Sequence, residues 1–228
     1  MYILIVNKYR MVTLAMIFGD GYSNSLIQPF VTYLESHGIH TIGIPLLEES
    51  GDVSYKEITP ENYCKYIDKY IPRFCNDLYL YGISKGCEWL TIYASKRSNV
   101  KKLILVEPTT FPGKSEYLVE YEKDRGNDYV EELYENDGVD NSLNSTDMTL
   151  DSIVSRSTKF IPKCRTVIVW TSRNNQNEEY SPVVKELKKN YVNYLRSNGC
   201  KLTVKNINSD HCVDTHEKYL PFLLRIIL

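Results

Sequence analysis

Ser84 stands in Gly82-Ile83-Ser84-Lys85-Gly86, with a glycine two residues to each side. The apolar run Leu78-Tyr79-Leu80-Tyr81 leads into it, and Trp89 to Lys96 follows with helical character. Strand, sharp serine-bearing turn and helix, in that order, make the pattern of a nucleophile elbow. A side chain on so tight a turn is crowded, and glycines relieve the crowding because they lack Cβ. The helix then points its first N–H groups at the space above the hydroxyl. Attack on a carbonyl is the chemistry such a serine can do. A hydroxyl is a poor nucleophile at neutral pH, so it needs a base, usually histidine, and the base needs an orienting group.

Four histidines are available. His37 and His40 flank Gly38-Ile39 at the start of an expected strand, and read as surface or structural residues. His216 falls within the expected last helix. His211 lies in the loop after the last expected strand, and it is the one histidine well placed to serve Ser84. Asp210 precedes it directly, and chain neighbours point apart, so Asp210 is a poor orienting acid.

The elements that must position these residues follow a regular order. Tyr2 to Val6 and Met11 to Phe18 read as adjacent strands, joined by Asn7-Lys8-Tyr9-Arg10. A helix with Leu26, Phe30 and Leu34 on one face ends at Gly38, and His40 to Pro45 is a further strand. Thr59-Pro60-Glu61 opens a helix with Thr as cap and Pro at the first position, running to about Phe74. After the elbow come a strand over Lys102 to Glu107, a strand over Thr166 to Trp170, a helix over Val183 to Arg196 and a strand over Leu202 to Ile207. A final helix is expected over about Thr215 to Ile227. Alternation of this kind predicts one α/β domain over 1–228, a mostly parallel doubly wound sheet with helices on both faces. Residues 112–160 interrupt it and read as a small cap insertion, with Leu118, Val119 and Leu133 available to line an apolar pocket. Ligands of such sheets bind at the carboxyl ends of the strands, where the loops holding Ser84, Glu107 and His211 converge.

Composition narrows the classes. The 27 Lys and Arg against 29 Asp and Glu leave a formal charge of −2, and the cations are scattered. Neither a nucleic-acid partner nor an anionic membrane surface is indicated. Lys185, Lys188 and Lys189 read as a helix surface. The six cysteines form no Cys-x-x-Cys pair and no zinc spacing. No run reaches membrane-spanning length, and no signal peptide is evident. The expectation is a reduced, cytoplasmic protein that needs no metal or organic cofactor.

The order of elements, the elbow and the late histidine resemble the α/β-hydrolase fold family over essentially the whole chain. Locally, Gly82-Ile83-Ser84-Lys85-Gly86-Cys87-Glu88 is similar to the Ser-Lys-Gly elbows of acyl-CoA thioesterases and bile-acid acyltransferases. The resemblance implies an oxyanion hole of backbone N–H groups, one from Lys85 and one from Asp20 in Phe18-Gly19-Asp20-Gly21. It implies an acid after the strand Thr166 to Trp170, but Asn174 and Asn175 stand where Asp is expected. Some lipases take the acid from the preceding strand end, where this chain has Glu107-Pro108. Glu107 is therefore the first candidate, Glu178 the second and Asn174 the third. The implied activity is serine-dependent cleavage of a small-molecule carboxylic ester or thioester through an acyl-enzyme. Asn174 keeps a second expectation open, a pseudo-hydrolase that binds or signals without turnover.

Overall fold

The computed structural model describes residues 12–19, 24–46, 60–72, 75, 77–108, 160–173 and 182–228. The expected strand Tyr2 to Val6, the cap insertion short of Phe160, and Asp20, Asn174 and Glu178 lie outside the described residues.

The described elements are β1 (Val12–Ile17), α1 (Asn24–Ser36), β2 (Ile39–Gly43), α2 (Pro60–Tyr70), β3 (Leu78–Ile83) and α3 (Gly86–Lys96). They continue with β4 (Val100–Val106), β5 (Arg165–Thr171), α4 (Pro182–Ser197), β6 (Leu202–Ile207) and α5 (Leu220–Ile227). The strands form one six-stranded sheet in the order β2-β1-β3-β4-β5-β6, and every pairing is parallel. Parallel neighbours cannot be joined by a tight hairpin, so each crossover carries a helix or a long segment.

Burial on both faces explains the apolar runs. In β4, Leu103 and Leu105 enter one core with α2, α3 and α4, while Ile104 and Val106 enter the opposite core with α1 and α5. β1, β3 and β5 split their side chains between the same two cores. A strand covered on both sides needs apolar residues at every position rather than at alternate ones. Lys101 faces solvent, and Lys102 is the buried exception on β4, 6% exposed. Its ammonium donates to the carbonyls of Ile226 and Ile227, both at 2.9 Å. Those carbonyls end α5 and lack helical partners, so the cation ties the last helix to the central sheet.

The end of the chain departs from expectation. α5 starts at Leu220, not near Thr215, and two short 3-10 turns, Val213–Thr215 and Glu217–Tyr219, precede it. His216 lies between these turns in extended backbone, φ −97° and ψ 111°, rather than within the helix. Its ring nitrogen Nε2 is 2.8 Å from Asp210 Oδ2, a contact that holds residue 216 against the preceding loop. Pro221, which has no N–H to leave unsatisfied, then opens α5. Similarly, α2 ends at Tyr70 instead of reaching Phe74, and Pro72 follows. Among the described residues, no helix is long and apolar enough to cross a membrane, and all six cysteines are free thiols.

Candidate active site

Ser84 is the first residue after β3, and its φ of +54° lies in the left-handed region that side chains rarely adopt. The sheet ladder still holds it: its N–H donates to the carbonyl of Val106 on β4 at 2.9 Å. Its own carbonyl accepts the Cys87 N–H at 3.0 Å, so the turn passes straight into α3. Lys85 is the N-cap of that helix. Space for the turn comes from the glycines. A Cβ on Gly86 would lie 2.1 Å from the carbonyl oxygen of Ile17, and one on Gly82 would lie 2.9 Å from Cys87 Cα. Backbone rather than a movable side chain blocks Gly86. Gly86→Ala is expected to lower the unfolding free energy by about 3 kcal/mol in urea titrations, because α3 and β1 must separate.

The loop after β1 also reaches the serine. A Cβ on Gly19 would stand 2.7 Å from Ser84 Cβ and 3.1 Å from Ser84 Oγ. The chain just before Asp20 thus runs against the serine side chain.

Glu107 repeats the elbow geometry one strand along. It is the first residue after β4, with φ +47°, and its N–H donates to the carbonyl of Val169 on β5 at 3.0 Å. Its side chain is 3% exposed. Oε1 accepts the Thr171 N–H, and Oε2 is 2.8 Å from the Lys188 ammonium. Lys188 Nζ also approaches the Thr171 carbonyl at 3.4 Å and lies 4.9 Å from the centroid of the Trp170 ring.

The segment holding His211 leaves β6 and turns back across the rim. The N–H groups of Ser172 and Arg173, after β5, donate to the Ser209 carbonyl at 3.2 and 3.1 Å. Further along, Val213 is fully buried in the core that contains Phe30, Tyr81 and Val106, and the turn Val213–Thr215 packs against α1. The Asp214 carboxylate raises the pKa of the Tyr81 hydroxyl, second to the effect of burial. Tyr81 is on β3, three residues before Ser84. The chain from Ser209 to Asp214 therefore runs from the end of β5 to the core beside α1, and His211 lies within that segment. Among the described residues no hydrogen bond joins His211 to Ser84 or to Glu107.

No family model and no curated protein matches the chain. Solved structures do. A thioesterase domain from the curacin biosynthetic pathway superposes with TM-score 0.60 at 15% identity, covering 96% of this chain and 91% of that one. MGS-MChE2, an α/β-hydrolase enzyme from the metagenome of lagoon sediments of Mar Chica, Morocco, gives 0.63 at 15%, with 95% and 90% covered. An extracellular α/β-hydrolase from a Paenibacillus species gives 0.54 at 12%, with 94% and 97% covered. The fold is that of the α/β-hydrolases. At these identities the likeness is one of fold.

Within this α/β-hydrolase sheet, charge around His211 has a clear sense. Burial pushes its pKa below the ordinary histidine value, Glu107 opposes the shift, Lys188 adds to it, and Asp210 opposes it. A lowered value keeps the imidazole neutral, as a base must be. The protonated folded form is disfavoured, so the unfolded chain takes up the proton first. Stability from this group is whole above the unfolded value of about 6.5 and falls as pH drops below it. If His211 is the base, the acid limb of kcat/KM for ester cleavage falls below pH ~6.5. A limb at or above that value in a pH–rate profile contradicts the assignment.

The Asp210 carboxylate is engaged by other groups. Its Oδ1 accepts the Cys212 N–H at 3.0 Å, and both carboxylate oxygens meet His216 Nε2, at 3.0 and 2.8 Å. The pair closes the loop on either side of residue 211. His216 and Asp210 are six residues apart with an irregular turn between, and no periodic signal announces such a contact. Ser84, Lys85, Glu107 and His211 all lie beyond the carboxyl ends of strands in the one parallel sheet. His37 and His40 do not: the His37 ring stacks near Tyr33 and its Nδ1 meets the Tyr33 carbonyl at 2.8 Å.

Proposed function

We propose that the protein is a serine hydrolase that cleaves a small-molecule carboxylic ester or thioester through an acyl-enzyme. One observation carries the reading: Ser84 holds a left-handed backbone at the end of β3, at the N-terminus of α3, with the Gly19 backbone against its side chain. Strain of this kind costs of order 1–3 kcal/mol and persists where surrounding structure enforces it, often at reactive residues.

In the proposed reaction His211 takes the hydroxyl proton as Ser84 Oγ attacks the carbonyl carbon. The carbonyl oxygen becomes an oxyanion held by the N–H groups of Lys85 and Asp20. Collapse expels the alcohol or thiol, which leaves with the proton from His211. Water, deprotonated by His211, then attacks the ester on Ser84; as that intermediate collapses, His211 returns the proton to Ser84 Oγ and the carboxylic acid is released. Glu107 is the proposed acid, and its charge favours the imidazolium that forms. Hydrogen bonds of this kind often tighten only when substrate is bound. No step calls for a metal or an organic cofactor.

The engagement of Glu107 by Lys188 and Thr171 favours a second reading, a binding protein that retains the fold without turnover. A fluorophosphonate probe separates the two. The hydrolase reading expects one covalent adduct, located at Ser84 by peptide mass analysis. An unlabelled protein between pH 6 and 9, or label at another residue, removes that reading.

A further inference from the structure

Helix α4 turns a basic face toward the edge of the sheet. Lys185, Lys188, Lys189 and Arg196 line a cleft of about 540 Å3, walled on the other side by Trp170 and Asn206. The whole chain carries a formal charge of −2, so this concentration of cations is not the background of a basic protein. Lys185, Lys189 and Arg196 are exposed, whereas Lys188 is 8% exposed. The volume suits a small molecule rather than a polymer, within the usual range of about 300–1,000 Å3. Guanidinium and ammonium groups lining one cleft with the Asn206 amide are phosphate-binding chemistry.

Lys188 belongs to both sites. Its ammonium is 2.8 Å from Glu107 Oε2 and lies over the Trp170 ring. An anion in the cleft would compete with Glu107 for that ammonium and loosen the carboxylate toward His211. We propose that the cleft binds a phosphate-bearing small molecule whose charge reaches the catalytic rim through Lys188. The coupling rests on the hydrolase reading, but the binding does not.

Binding is tested on the Ser84→Ala protein, which removes turnover from the measurement. Inorganic pyrophosphate and phosphate are titrated in, with calorimetric heat and tryptophan fluorescence as readouts. Saturable binding is expected, weakened about tenfold or more in Lys189→Gln/Arg196→Gln and by added salt. Both substitutions are on an exposed face, and thermal melts confirm that the variant is folded. No saturable signal, or binding unchanged in the double variant, overturns the site. Wild-type kinetics then test the coupling and the source of the phosphate. If pyrophosphate raises KM for a phosphate-bearing thioester and not for a phosphate-free ester, the cleft holds the substrate's own phosphate. A change in kcat on both substrates assigns it to a free effector. Binding that leaves both substrates unaffected overturns the link through Lys188. A protein that binds pyrophosphate but never labels at Ser84 loses the hydrolase reading and keeps the site.

Discussion

Ser84→Ala is expected to slow turnover of an activated short-chain ester by about 10⁵-fold or more, with the folded state intact. Removing the hydroxyl removes the acyl-enzyme route, and only backbone stabilisation of a water attack remains. His211→Ala is expected to cost a similar factor, and the double variant hardly more, because nucleophile and base act as one unit. Losses that multiply would mean the two residues act independently and would break the pairing. Ser84→Gly supplies an orthogonal readout. Glycine adopts φ near +54° without strain, so this inactive variant should unfold at higher urea than wild type, by about 1 kcal/mol. A serine kept at a position where glycine is more stable is what function, rather than folding, would retain.

Lys188→Met is expected to destabilise the fold by about 3–5 kcal/mol at neutral pH, seen as a lower urea midpoint. The reason is the carboxylate left behind. Glu107 is 3% exposed, and without the ammonium at 2.8 Å it keeps the Thr171 N–H but loses the charge of Lys188. Glu107→Gln in the same background should recover most of the loss, since an amide oxygen still accepts from Thr171 and no buried charge remains. If the double variant is as unstable as Lys188→Met, the loss comes from packing of the lysine stem against Trp170 instead. The single variant should also move the acid limb of activity upward. Lys188 is among the groups that lower the His211 pKa, and without it the Glu107 charge acts on the ring unopposed by that cation.

Short-range signals account for what could be read directly. The five residues around Ser84 announce an elbow because the turn has steric requirements that only glycine meets. A Cβ on Gly86 would stand 2.1 Å from the Ile17 carbonyl oxygen, and one on Gly82 2.9 Å from Cys87 Cα. The continuous apolar run Leu103 to Val106 announced a strand covered on both faces, and it splits its side chains between two cores. Glu107 and His211 were legible as rim residues because strand ends and the loops after them share one edge in a parallel sheet.

Side-chain partnership across the rim was not legible. Glu107 could be named from the chain, but its bonds to Lys188 and Thr171 join residues 81 and 64 positions away, which no local pattern encodes. Lys188 read as one of three surface lysines, and burial beside Trp170 made it a different kind of group. Position alone puts His216 in the last helix, whereas the ring meets Asp210 from extended backbone between two short turns. Residue types and spacing were enough to specify the α/β order, the elbow and the sheet edge that Ser84, Glu107 and His211 share, since each follows from local sterics and from alternating burial. Which charges meet, and therefore how His211 is tuned, was decided by the sheet bringing distant strand ends within a few ångströms, where burial and Coulomb forces outweigh any preference written in the chain.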